Sequence, residues 1–310
     1  MSLKVIQPGI LSLLQDGGRT GQQRIGLTNG GPLDRRAFDY CNRLLGNAKN
    51  CTLLEISFGG LHLQALVDTF ICITGAKLPL HINGKEQPQW QVLPVAAGDE
   101  IQLEFAEQGC RAYLGVADGF TIPPSFGSSA TVMRENIGGL HGDKLQAGDN
   151  LPCSGARLAV NYCLNEADRP VYGDPARLLL VPGYQQAAFD PAQQWRFFNS
   201  EYRLTERCDR MGFRLEGETV HSNIVGMLSE GICHGAIQIP ADGQPIVLMN
   251  DRQTIGGYPK IGSVIPRDTA RLSQLSPGSQ VYFEAISIEQ AHNIHCLEQA
   301  RFRRTPVQPC

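Results

Sequence analysis

Several signatures that carry common chemistries are missing from this sequence. It holds no Gly-x-x-x-x-Gly-Lys-[Ser/Thr] phosphate loop, since Gly84-Lys85 runs on into Glu86, and no Gly-x-Gly-x-x-Gly follows an apolar strand. The nearest approach to a Gly-x-Ser-x-Gly nucleophile elbow, "FGSSATV" at 126–132, fails the spacing. No Met-Lys-Met stretch offers a lysine for biotin, so no biotin attachment site is expected. No apolar run approaches the roughly 20 residues that a bilayer-spanning helix needs. A net charge of −3 and a pI near 6.2 supply no electrostatic basis for nucleic acid or an anionic membrane as partner. The first residues, "MSLKVIQPGI", lack a basic segment followed by a long apolar one, so no signal peptide is expected.

The ten cysteines include no Cys-x-x-Cys pair, and a chain of 310 residues has no need of disulfide staples. Buried, reduced thiols in the cytoplasm are expected. The seven histidines are scattered. His292 and His295 lie three apart on an expected helix but have no third ligand nearby in sequence, so no metal site is expected.

What is present is strand and turn. Hydrophobic residues make up 42% and charged ones only 18%, a balance that suits a packed enzyme. The 34 glycines and 19 prolines punctuate apolar runs rather than forming low-complexity tracts. Asn83-Gly84 and Asp242-Gly243 are hairpin signals. A cassette recurs in "AAGDEIQLEF" (96–105), "QAGDNLP" (146–152) and "SPGSQVYFEAI" (276–286), each placing Gly and a short polar residue before a strand. Its presence in both halves suggests two β-rich units. Helices are few. Residues 33–47 carry Asp34 as N-cap, Ala37, Cys41, Leu44 and Leu45 on one face, and Gly46-Asn47 as the stop. Ser287 with Gln290 forms a capping-box pattern ahead of a second helix. The strand rhythm lapses over 153–178, which places the domain boundary there, with domains at 1–165 and 166–310. Strands do not alternate with helices, which argues against a doubly wound α/β fold.

Five polar clusters adjoin glycines: 13–26, 29–47, 116–149, 208–217 and 237–259. Paired glycines permit positive φ and close backbone approach, so they can offer N–H groups to an anionic or carbonyl-bearing ligand. Taken singly, Asp34 reads as a helix cap and Asp16–Arg19 as a turn ion pair. The last cluster, "IQIPADGQPIVLMNDRQTIGGYP", sets five polar residues, Asn250 to Thr254, and a double glycine directly after an apolar strand. Such a loop on a rigid strand is a good mount for a site.

In order, the residues Gln15-Asp16-Gly17-Gly18-Arg19, Gly31-Pro32-Leu33-Asp34, Thr74-Gly75-Ala76, Gly138-Gly139, Asp209-Arg210-Met211-Gly212 and Ala236-Ile237-Gln238 through Gly256-Gly257-Tyr258-Pro259 resemble the allophanate-hydrolase-subunit-2, or biotin-dependent-carboxyltransferase-like, family. That family takes in the C subunit of prokaryotic 5-oxoprolinase, the KipA antagonist of a kinase inhibitor, and the carboxyltransferase domain of urea carboxylase. The resemblance runs from about residue 5 to about 290, and Asp209 to Pro259 is its most specific block. The pattern is broken at Val116-Ala117-Asp118-Gly119, at Ser129-Ala130 and at Cys208.

The resemblance implies a mainly β fold of two tandem cyclophilin-like β-barrel domains with a few short helices. It implies a heteromeric partnership with a KipI-like B subunit together with an A subunit, the three opening 5-oxoproline to L-glutamate using ATP with Mg2+. The alternatives are a KipA-like binding protein and a carboxyltransferase component served by a separate biotin carrier. A lactam carbonyl is a poor electrophile, and its activation by phosphoryl transfer asks for positioning and cationic stabilisation. By residue type and grouping, Arg19 and Arg210 are expected to face phosphate or carboxylate groups. Asp251, Gln253 and Thr254 are expected to orient the substrate amide, and Tyr258 to wall the pocket. Gln15, Asp16, Gln238, Gly256 and Gly257 complete the expected substrate contacts.

Overall fold

The computed structural model of the chain describes residues 1–156, 161–224 and 226–310. It is mainly β, with four α-helices among the described residues: α1 (Arg35–Leu44), α2 (Pro191–Asn199), α3 (Pro266–Leu272) and α4 (Ile288–Arg304). Two compact units emerge. One comprises Met1–Gly21, Asn29–Tyr172 and Thr305–Cys310, the other Gln22–Thr28 and Gly173–Arg304. The longest segments of the two units meet in sequence at Tyr172 and Gly173, with further changes of unit at 21/22, 28/29 and 304/305. Residues 157–160 lie outside the described ones.

In the first unit the strands form two antiparallel sheets. The six-stranded sheet runs, in spatial order, Asn150–Pro152, Ser2–Pro8, Gly59–Ala65, Glu100–Phe105, Leu80–Ile82 and Lys85–Gln87. The five-stranded sheet runs Leu11–Gln15, Leu53–Ser57, Gln108–Val116, Thr69–Lys77 and Val92–Val95. Gly59–Ala65 alternates between buried and half-buried residues, as a strand covered on one face must. Leu53–Ser57 is buried throughout. The inward residues, among them Leu3, Val5, Ile56, Leu63, Ile73, Ile101 and Leu114, form one core.

Local chemistry explains the turns. Ile82 pairs with Lys85 across a two-residue loop in which Asn83 and Gly84 have φ of 52° and 73°, the double positive φ of a type I′ hairpin. In each recurring cassette a glycine takes φ of 90–101° (Gly98, Gly148, Gly278) and the residue after it closes the turn. The amides of Asp99, Asp149 and Ser279 donate to the carbonyls of Ala96, Gln146 and Ser276. Helix α1 begins where Asp34 Oδ1 accepts from the Ala37 amide at 3.0 Å, and it buries Ala37, Phe38, Cys41 and Leu44. It packs on Thr69–Lys77 and Gln108–Val116. Gly115 makes that approach possible, because a Cβ there would lie 2.7 Å from Leu45 Cδ1 and 2.9 Å from Cys41 Sγ.

In the second unit seven strands close into a barrel: Ala176–Pro182, Lys260–Val264, Ala236–Gln238, Ile246–Leu248, Gly212–Gly217, Tyr202–Cys208 and Gln280–Ala285. The last strand returns to the first in parallel, Ala176 opposite Val281. Phe197 of α2 stacks on Phe283 with centroids 4.7 Å apart and 17° between planes. In α3, Asp268 is fully buried and accepts from the Leu179 amide at 2.8 Å and from Arg267 at 2.9 Å. The expected capping box of α4 is reciprocal: the Ser287 amide donates to Gln290 Oε1 at 2.8 Å, and the Gln290 amide to Ser287 Oγ at 3.2 Å. No helix among the described residues is long and apolar enough to cross a membrane. All ten cysteines are free. Cys41, Cys72, Cys110 and Cys153 are buried as expected, whereas Cys233, Cys296 and Cys310 are exposed.

Candidate functional site

The sequence-predicted residues divide between the units, and each set is built differently. Gln15, Asp16 and Arg19 belong to the first unit, at the end of strand Leu11–Gln15. Gln15 is fully buried, donating to the Thr131 carbonyl at 2.9 Å and accepting from the Gly31 amide at 2.9 Å. Asp16 accepts from the Gly18 amide, Ser128 Oγ and the Ser129 amide at 2.8, 2.5 and 2.8 Å. Arg19 is 1% exposed, and its guanidinium donates to the carbonyls of Ser125 at 3.0 Å and Ala130 at 3.1 Å. The glycines here do need their freedom. Gly18 and Gly31 have φ of 91° and 87°, and a Cβ on Gly31 would lie 3.2 Å from Gly18 Cα. Side chains and glycines together organise the segment 125–131.

The remaining predicted residues belong to the second unit, in the barrel strands and the turns between them. Strand Ala236–Gln238 pairs with Ile246–Leu248 across the Asp242-Gly243 turn, where Gly243 has φ of 75°. After Leu248 the chain leaves the barrel wall. Met249 donates its amide to the Met211 carbonyl and Asp251 its amide to Arg210, each at 2.8 Å, tying this turn to the Asp209–Gly212 turn. Arg210 clamps Asp251 bidentately, Nε to Oδ2 at 2.9 Å and Nη2 to Oδ1 at 3.0 Å, with both side chains under 10% exposed. That geometry holds two loops in register. Beside it His234 contacts Asn250 Oδ1 at 3.1 Å. Burial, helped by the positive Arg252, pushes its imidazole down to about 4, so it is neutral at pH 7 and its Nε2–H donates.

Sequence reasoning missed the polar group beneath this loop. Lys260 stands opposite Gln238 on the neighbouring strand. Its side chain is 10% exposed, and its ammonium hydrogen-bonds Glu230 Oε1 and lies 5.9 Å from the centre of the Tyr184 ring. Gln185, 9% exposed, accepts from the Lys260 amide at 2.8 Å and donates to Glu230 at 2.5 Å. The hydrogen bond from Lys260, then that from Tyr184, holds the Glu230 carboxyl below its usual range. The hydrogen bond to Glu230 raises the Tyr184 phenol.

Gln238 is 5% exposed, and its amide nitrogen has no hydrogen-bond partner among the described residues. A Cβ on Gly256 would fall 2.8 Å from that nitrogen and 2.4 Å from Ile232 Cδ1. Gly256 and Gly257 are not in the positive-φ region, so Gly256 makes room for Gln238 rather than for an unusual backbone. Gly256 pairs with Glu230 across a short antiparallel ladder, completing the group. Gln253, Gly257 and half-exposed Tyr258 are at the surface, and Thr254 uses its carbonyl to accept from Ile232. A separate open groove lined by Thr205, Arg207, Arg214, Glu216 and Gln244 carries only solvated charges. The signal for the missed group was faint: a lysine ending "GGYPK" and a glutamate ending "MLSE", 30 residues apart.

Residues 25–285 match the family model described as "Carboxyltransferase domain, subdomain A and B". The chain belongs to this family. Within it, the sequence is 37% identical over 290 residues to the C subunit of 5-oxoprolinase from Escherichia coli, covering 93% of both chains. It is 30% identical to a putative urea carboxylase of Emericella nidulans, of which it spans 26%. The solved urea carboxylase of Kluyveromyces lactis superposes with a TM-score of 0.92 at 25% identity, over 98% of this chain and 29% of that one.

Proposed function

We propose that the chain is the C subunit of an ATP-dependent 5-oxoprolinase, working in a complex with a KipI-like B subunit together with an A subunit. The observation that carries this reading is the end-to-end likeness to a 5-oxoprolinase C subunit, 93% of each chain, against about a quarter of the putative urea carboxylase. In this reading the barrel mouth handles the lactam. Arg210, its donors engaged by Asp251, acts as a positioning residue that fixes the loop bearing Gln253, Thr254 and Tyr258. Gln15, Asp16 and Arg19 hold the 125–131 segment in shape. Lys260, Glu230 and Gln238 supply donors and an acceptor to the substrate.

ATP is the source of activation. The described residues hold no group of three His, Cys, Asp or Glu arranged for a metal, and the sequence has no phosphate loop. This chain's contribution is to bind, orient and screen the lactam from water, which is where phosphoryl transfer gains most from a protein.

Reconstitution tests the reading. The three proteins together are expected to hydrolyse ATP in a 5-oxoproline-dependent manner, and omission of this chain is expected to abolish it. Carboxyl transfer, the second reading, draws on the carboxylase likeness and predicts turnover only when a biotinylated carrier is added. Absence of 5-oxoproline-dependent turnover by the three-protein mixture would overturn the first reading.

A further inference from the structure

The open hydrogen-bonding capacity at the barrel mouth has a definite pattern. Gln238 presents a buried amide N–H2 with no partner among the described residues. Lys260, across the strand pair, has two further N–H groups beyond the one given to Glu230. Glu230, 31% exposed at its side chain, takes Lys260 and Gln185 on Oε1 and also the Tyr184 phenol, and keeps acceptor capacity on its second carboxylate oxygen. Gln238 and Lys260 are thus side by side on paired strands, Glu230 reaches Lys260 from the neighbouring short ladder, and Gly256 puts no side chain against Gln238 Nε2, where a Cβ would lie 2.8 Å away. A buried donor without a partner is costly in the free protein, and a ligand oxygen removes that cost.

We infer that Gln238, Lys260 and Glu230 read the cis edge of a secondary amide. A ring of five or six atoms forces its amide cis, so that C=O and N–H point to the same side. The carbonyl oxygen accepts from Gln238 Nε2 and Lys260 Nζ, and the ring N–H donates to Glu230. Open-chain amides are overwhelmingly trans and present the two groups on opposite sides, so the site selects lactams. The pairing of Lys260 with Glu230 keeps the mouth near neutral, which suits a carbonyl better than a free anion. Gln253, Thr254 and Tyr258 are left at the rim for the remainder of the molecule.

The inference rests on the 5-oxoprolinase reading for its natural substrate, and two measurements separate them. The first is binding of 5-oxo-L-proline and of its N-methyl derivative to the isolated chain, followed by NMR. Wild type is expected to favour the N–H lactam at least tenfold. Glu230→Gln is expected to lose that preference, and Gln238→Leu to lose binding with its melting temperature retained. Glu230, at the rim, reads the same site should Gln238→Leu fail to fold. The second is KM for 5-oxoproline in the three-protein complex, expected to rise at least tenfold in Gln238→Leu with ATP turnover at saturation less affected. Turnover by wild-type complex with both variants unchanged in KM and preference would overturn the inference and leave the reading. Lactam binding lost in Gln238→Leu, without turnover by the wild-type complex, would overturn the reading and leave the inference. No lactam preference and no turnover would overturn both.

Discussion

The two units each bury a glutamine in a polar cluster beside paired glycines, and the two amides differ in one respect. Gln15 uses both ends of its amide, one on Thr131 and one on Gly31. Gln238 leaves its donor end unpaired among the described residues. Residue type, burial and glycine context are alike, so none of these separates a framework from a site. Hydrogen-bond completeness does. An amide paired at both ends is held in place, whereas a buried donor left open is a cost that binding can relieve.

The largest effect expected from breaking this comparison lies at the Arg210–Asp251 pair of the second unit. Arg210→Met leaves Asp251 buried without its bidentate partner and is expected to cost about 3–5 kcal/mol in urea unfolding. The double variant Arg210→Met/Asp251→Leu is expected to cost less than that single one, since no lone charge remains buried. A larger cost for the double would show that the pair stabilises by more than mutual neutralisation.

The two glutamines give the direct contrast. Gln15→Leu strands a carbonyl and an amide N–H and is expected to lose about 2–4 kcal/mol. Gln238→Leu strands nothing and is expected to stay within about 1 kcal/mol of wild type. Equal losses would break the distinction between the clusters.

His234 sharpens it by pH. Its folded pKa, near 4, lies below the ordinary 6.5, so the unfolded chain binds the proton first as pH falls. Stability is therefore unaffected above pH 6.5 and declines between 6.5 and 4, by roughly 3 kcal/mol in all. His234→Gln is expected to flatten that decline. An unchanged slope would show that other groups carry it.

Local features were legible because their causes are local. Asn83-Gly84, the three glycine cassettes, the Asp34 cap and the Ser287/Gln290 box each involve residues within a few positions, and each formed as read. Helices α2 and α3 escaped notice because both begin on a proline, Pro191 and Pro266, at the first turn, where proline is tolerated but reads as a breaker. The site was half legible. The Asn250–Tyr258 loop stood out by its polarity, but Lys260–Glu230 and Arg210–Asp251 are pairings across 30 and 41 positions made by the tertiary fold, which no spacing rule encodes. Arg19 was read as a ligand contact from its charge. Its carbonyl partners, near Ser125 and Ala130, are more than a hundred positions away in sequence.

The parallel seam that joins Ala176–Pro182 to Gln280–Ala285 has a consequence for how the second unit comes into being. The first strand of the barrel to leave the ribosome must wait for the last before its edge is covered. Until Ala285 has emerged, Ala176–Pro182 is a bare strand edge open to other chains. Because that closing contact is so distant in sequence, it is also the slow one to find. Translation that stalls before Gln280 therefore yields an open sheet with two sticky borders, and Lys260, on the next strand, has no finished frame to sit in.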